Sequence, residues 1–111
     1  MKRGDVYYAT LDPTVGHEQR GTRPVVIFQN DTLNAAGTTA LVIPLTTNLR
    51  RAALPSCHLI RAGDGGLRED SVALCHQIRA VDSSRLATRI GGLAPQTIQA
   101  IDQVVKWVLG P

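Results

Sequence analysis

Residues 21–29 read Gly21-Thr22-Arg23-Pro24-Val25-Val26-Ile27-Phe28-Gln29. From Pro24 to Gln29 the run is β-branched and apolar, which predicts a buried strand. Pro24 cannot donate to a ladder, so it belongs at the strand's first position or on an edge. Downstream, Asn30 to Gly37 predicts a connection with one helical turn, and Thr39 to Leu45 a third strand that ends in Thr46-Thr47-Asn48. Upstream, residues 4–11 alternate through Val6, Tyr7, Tyr8 and Leu11 as a first strand, closed by Asp12-Pro13. Of Tyr7 and Tyr8, one faces in and the other out. Residues 12–22 then form a polar loop between Gly16 and Gly21.

Further out the signals weaken. Ser56 to Ile60 reads as a short strand, Gly63 to Gly66 as a turn, residues 71–79 as a strand and Ser83 to Ala87 as a helical turn. The last segment changes period: Ile98, Ile101, Val104, Val105, Val108 and Leu109 recur every three or four residues, the mark of an amphipathic helix. Pro95 suits its first turn and Gly110 its exit, whereas Ala94 is a poor cap and predicts fraying there. The sum is one mainly antiparallel β domain over residues 1–111, a small barrel closed by a C-terminal α-helix.

Composition sets bounds on function. The 111 residues are 43% hydrophobic and 19% charged, which excludes a disordered chain and argues against a coiled coil. Cys57 and Cys75 are too few for a disulfide scaffold or a zinc ribbon, and both read as inert strand residues. No apolar window is long enough for a membrane span or a signal peptide, so a cytoplasmic protein with reduced thiols is expected. Residues 1–61 carry seven basic against four acidic side chains, and the rest of the chain is balanced. That asymmetry suits an anionic partner. His17, His58 and His76 are scattered, with no carboxylates at ligand spacing, so neither a metal site nor another cofactor is expected.

The remaining polar residues gather at strand ends. The loop at 16–23 presents His17, Glu18, Gln19, Arg20 and Arg23, and the third strand ends in Thr46 and Thr47. If residues 24–29 and 39–45 pair as a hairpin, Arg23 and Thr46 share one end. A guanidinium beside a hydroxyl suits a phosphodiester, because its fork of donors reaches two non-bridging oxygens. RNA cleavage by the neighbouring 2′-hydroxyl needs little more than such donors with an acid and a base.

Several stretches together resemble the PemK/MazF-type toxins of bacterial toxin–antitoxin systems. They are Lys2-Arg3-Gly4-Asp5-Val6-Tyr7, Leu11-Asp12-Pro13, Gly16-His17-Glu18-Gln19, Gly21-Thr22-Arg23-Pro24-Val25-Val26, Val42-Ile43-Pro44-Leu45-Thr46, Asp70-Ser71-Val72 and His76-Gln77-Ile78-Arg79. The resemblance implies an SH3-like barrel of the PemK/CcdB class, working as a homodimer. It implies a sequence-specific, metal-independent endoribonuclease that cuts single-stranded mRNA, with Arg23 and Thr46 as catalytic residues. It also implies a cognate MazE-like antitoxin whose acidic C-terminal tail blocks the groove. Glu18, Gln19, Arg20, Thr47, Ser71, Gln77 and Arg79 are the candidates for RNA contact.

One departure stands out. Some PemK-type relatives place an acid–base Arg and Asp where this chain has Leu74 and His76. His76 is therefore one acid–base candidate, since an unperturbed imidazole, with a pKa of about 6.5, can serve in either role near neutral pH. His17, in the loop, is the other. A gyrase-binding poison like the CcdB branch is the competing reading. Against it stand the Arg23 and Thr46 pair and an ending of Trp107-Val108-Leu109-Gly110-Pro111 instead of Trp-Gly-Ile.

Overall fold

The structure, a computed structural model of Met1–Pro111, contains seven strands and two helices. The strands are β1 (Asp5–Thr10), β2 (Thr22–Ile27), β3 (Thr39–Thr46), β4 (Cys57–Ile60), β5 (Ser71–Leu74), β6 (Arg79–Asp82) and β7 (Leu86–Gly92). The helices are α1 (Asp31–Ala36) and α2 (Pro95–Leu109). No helix is long and apolar enough to cross a membrane.

The apolar run at 24–29 does what its composition dictates. Successive residues point to opposite faces, so Val25 and Ile27 join one core with Ala9, Leu11, Ala40, Val42 and Val81. Val26 and Phe28 join a larger core with Val6, Ile43, Leu45, Ile60, Ile101 and Val105. Both faces of β2 are thus covered, and a strand of this kind has no polar alternation to show. Pro24 is third in β2, not first. It lies opposite Tyr8 of β1, whereas the ladder to β3 begins only at Val25. The proline therefore occupies a stretch paired on one side, as its missing N–H requires.

The strands run in the order β4-β5-β3-β2-β1-β7, with β6 on β3. All pairings are antiparallel. The expected barrel does not close: β4 and β7, the ends of the path, do not pair. The cause lies on β3, where β6 takes Thr39–Val42 and β5 takes Leu45–Thr46, so the sheet forks. Helix α2 packs Ile101 and Val105 into the larger core and supplies the cover that closure would have given.

Two further expectations change. Residues 71–79 are not one strand. Cys75–Gln77 form a 3-10 turn, with Cys75 N–H bonded to the Ser56 carbonyl at 3.1 Å, before the chain joins β3 as β6. Residues 83–85 do make a helical turn, but Leu86 begins β7. The helix α2 has the predicted limits, yet its first turn is capped from elsewhere in the chain. Asp64 accepts from Ala94 N–H at 2.8 Å and from the Thr97 hydroxyl. We expect Asp64→Ala to cost about 1–2 kcal/mol. Urea unfolding should show a lower midpoint at unchanged slope; an unchanged midpoint would mean that the cap does not matter.

Candidate active site

The β2–β3 ladder ends two residues short of Arg23 and Thr46. Val25 lies opposite Pro44 and Val26 opposite Ile43. Continued by two residues, this register would set Arg23 opposite Thr46, at the end of the hairpin beyond Val25 and Pro44. Both side chains are half-buried. Arg23 donates from Nε to the Arg20 carbonyl at 3.0 Å and makes no ion pair. That bond orients the guanidinium and leaves its two terminal nitrogens with no protein partner. Thr46 Oγ1 accepts from Asn48 N–H at 3.2 Å, so its own proton can still be donated.

A cleft of about 190 Å³ is lined by Glu18, Gln19, Pro44, His76, Gln77, Ile78 and Arg79. It joins loop residues to residues some sixty positions away in sequence. Gln77 is the clamp: its Oε1 accepts from Gln19 N–H at 2.9 Å, and its Nε2 donates to the His17 carbonyl at 3.4 Å. Within the loop, Glu18 accepts from Val15 N–H at 2.8 Å, and Arg20 donates to the Gly16 carbonyl at 3.2 Å. Arg79 donates to the Leu11 carbonyl at 3.3 Å. The loop is long and glycine-bracketed, and these contacts give it a defined course.

Of the two candidate histidines, His76 is exposed and lines the cleft, whereas the exposed His17 ring does not. Thr47 and Ser71 line a second, larger cleft of about 460 Å³, with Tyr8, Pro24, Arg68 and Arg89 among its walls. The predicted RNA-contacting residues therefore divide between two clefts. Pro44 borders the first, Pro24 and Thr47 border the second, and Arg23 and Thr46 are their sequence neighbours. Ser71 is buried, and its hydroxyl donates to the Glu69 carbonyl at 3.1 Å. Tyr8 is the outward tyrosine of its pair, 44% exposed.

Electrostatics favour an anion near the pair. Arg89 is neutralised by Asp5 at 3.1 Å, which raises its pKa further. Arg20, Arg23 and Arg79 have no carboxylate partner. His58 is half-buried on β4, and burial holds its imidazole below the ordinary histidine range, with Asp64 opposing. Burial pushes the Cys75 thiol up to about 12, which keeps it protonated.

One residue near the cleft carries no signal in the sequence. Cys57 Sγ lies 3.9 Å from His76 Nδ1 and 3.9 Å from Ser56 Oγ. Cys57 pairs with Leu74, two residues before His76, so the contact becomes legible only once the β4–β5 register is known.

Comparison with known proteins adds a family and a fold. A family model described as the PemK-like, MazF-like toxin of type II toxin–antitoxin systems matches residues 2–109. Over 106 residues the chain is 42% identical to endoribonuclease EndoA of Bacillus subtilis (strain 168), covering 96% of this chain and 91% of that protein. In fold it is similar to MazF (form I) from Deinococcus radiodurans, with a TM-score of 0.85 at 21% identity, over 100% of this chain and 97% of that one. It is also similar to an endoribonuclease from a mycobacterial species, solved in complex with its cognate antitoxin. There the TM-score is 0.81 at 23% identity, over 97% of this chain and 93% of that one.

Proposed function

We infer a function from the premise that this chain belongs to the PemK-like, MazF-like toxins of type II toxin–antitoxin systems: it is an endoribonuclease. It cuts single-stranded mRNA at specific sequences without a metal, and so stops translation and growth until an antitoxin binds. The observation that supports this reading is the antiparallel β2–β3 pairing, whose register continued by two residues would put Arg23 and Thr46 at one end of the hairpin. The fork of Arg23 binds two non-bridging oxygens of the scissile phosphate. As the 2′-hydroxyl attacks, those oxygens gain charge, and fixed donors act most strongly where charge develops. Thr46 donates its hydroxyl to the same group. The 2′-oxygen loses a proton and the leaving 5′-oxygen gains one, with His76 and His17 as the imidazoles at hand. The products are a cyclic phosphate and a 5′-hydroxyl.

The working form is a cytoplasmic homodimer, and the partner that silences it is a MazE-like antitoxin with an acidic C-terminal tail. The unpaired arginines around the loop attract RNA and that tail alike.

The test is cleavage of a long single-stranded RNA in EDTA, with the 5′ ends of the fragments mapped. Discrete cuts by the wild type are expected. An RNA left whole in EDTA but cut with magnesium would overturn the metal-free mechanism. In the same assay Thr46→Ala should cut about tenfold more slowly, the value of one good hydrogen bond to a charged group. Thr46→Ser should retain most of the rate. An unaffected Thr46→Ala would move the role to Thr47.

A further inference from the structure

We propose that Cys57 is a positioning residue for His76: its thiol donates to Nδ1 and thereby turns a protonated Nε2 toward the cleft. The inference rests on the reading of that cleft as the RNA site. His76 is exposed on the 3-10 turn after β5 and makes no hydrogen bond to any other protein group. An exposed imidazole without an anchor samples several rotamers and both neutral tautomers. Here one anchor exists. Cys57 is only 7% exposed, packed with Val72 and Leu74, so its sulfur is fixed by strand pairing and has little freedom of its own.

Direction follows from donor chemistry. A thiol is a weak donor and a weak acceptor, whereas an unprotonated imidazole nitrogen is a good acceptor. Ser56 Oγ, also 3.9 Å from the sulfur, can donate to it and complete a relay from Ser56 through Cys57 to His76 Nδ1. With Nδ1 accepting, the neutral ring carries its proton on Nε2. His76 then faces RNA as a hydrogen-bond donor and not as a base. The position of this neutral imidazole in the reaction is therefore beside the phosphate oxygens, as a hydrogen-bond donor to their developing charge.

The experiment has two arms. The first is the nitrogen NMR spectrum of the His76 ring in the free protein, for wild type, Cys57→Ala and Cys57→Ser. Wild type should show the Nε2–H form with a hydrogen-bonded Nδ1. Cys57→Ala should move to the averaged signal of a solvated ring, and Cys57→Ser should lie near wild type. Identical spectra for wild type and Cys57→Ala, or a wild type in the Nδ1–H form, overturn the proposal. This arm needs no activity, so it stands apart from the ribonuclease reading.

The second arm is the cleavage rate. Cys57→Ala should lower kcat about three- to tenfold at nearly constant KM, and Cys57→Ser should restore most of it. In a His76→Ala background Cys57→Ala should have no further effect. An equal loss in that background means that the thiol acts only through folding, which overturns positioning. A His76→Ala protein as active as wild type removes His76 from the cleavage reading, and the spectrum alone then decides what Cys57 does.

Discussion

Arg23→Ala should lose at least about 10²–10³-fold in cleavage rate, the usual cost of removing one fixed donor from developing oxyanion charge. Its fold should hardly change. Arg23 gives the protein one hydrogen bond, from Nε to the Arg20 carbonyl, and no ion pair. Its side chain is half-buried at a strand end, outside both cores. A melting temperature close to that of wild type is therefore expected together with a nearly dead enzyme. Arg23→Lys should recover little, because an ammonium supplies a point charge where two phosphate oxygens need a planar fork. No other guanidinium takes its place: the terminal nitrogens of Arg20 and Arg79 are drawn to the Gly16 and Leu11 carbonyls. If purified Arg23→Ala cuts RNA near the wild-type rate, the catalytic assignment is wrong, whatever the family.

The β2–β3 pairing on which that prediction rests was open to sequence reading for a simple reason. The two strands that carry it are among the most apolar stretches of the chain, and their ends are marked by Pro24 and by the threonines at 46 and 47. An antiparallel pair of such strands has few registers that bury both faces. Helix α2 was legible for the same reason, through the spacing of Ile98, Ile101 and Val105. What stayed hidden depends on contacts between distant segments. The strand β7 is Leu-Ala-Thr-Arg-Ile-Gly-Gly, with little alternation and two terminal glycines. Its pairing with β1 is irregular, with shifts on both sides of Tyr7. Nothing local marks it as a strand; the edge of β1 does. The break at Cys75 is fixed by the Ser56 carbonyl, the N-terminus of α2 by Asp64, and the ring of His76 by Cys57. Each of these partners lies 18 or more residues away in sequence.

The glycine turn between β4 and β5 carries the largest expected effect on stability. Gly66 has φ +75°, a conformation that L side chains rarely adopt, and a Cβ there would run into the Ile90 carbonyl oxygen of β7. That oxygen is backbone inside a strand and cannot swing aside. Across the same contact, Gly91 brings its backbone so near Gly65 that a Cβ on Gly91 would lie 2.6 Å from the Gly65 oxygen. The turn is thus the seat on which β7 lies. It also holds Leu67 in the larger core and presents Asp64 to the first turn of α2. Gly66→Ala must move β7 or the turn, and either movement loosens a core contact and the helix cap together. We expect a loss of about 3 kcal/mol or more, a fall of roughly 10 °C or more in melting temperature for a chain of this size. Gly37→Ala separates the causes. Gly37 also has positive φ, at +73° in the left-handed region, but a Cβ there meets nothing within 4 Å. It should therefore show the backbone cost alone, about 1–2 kcal/mol. Equal melting temperatures for the two variants would mean that the approach of β7 to the turn contributes nothing. A clearly lower value for Gly66→Ala would show that four residues with no chemistry of their own hold the last strand and the helix in register with the strands that carry Arg23 and Thr46.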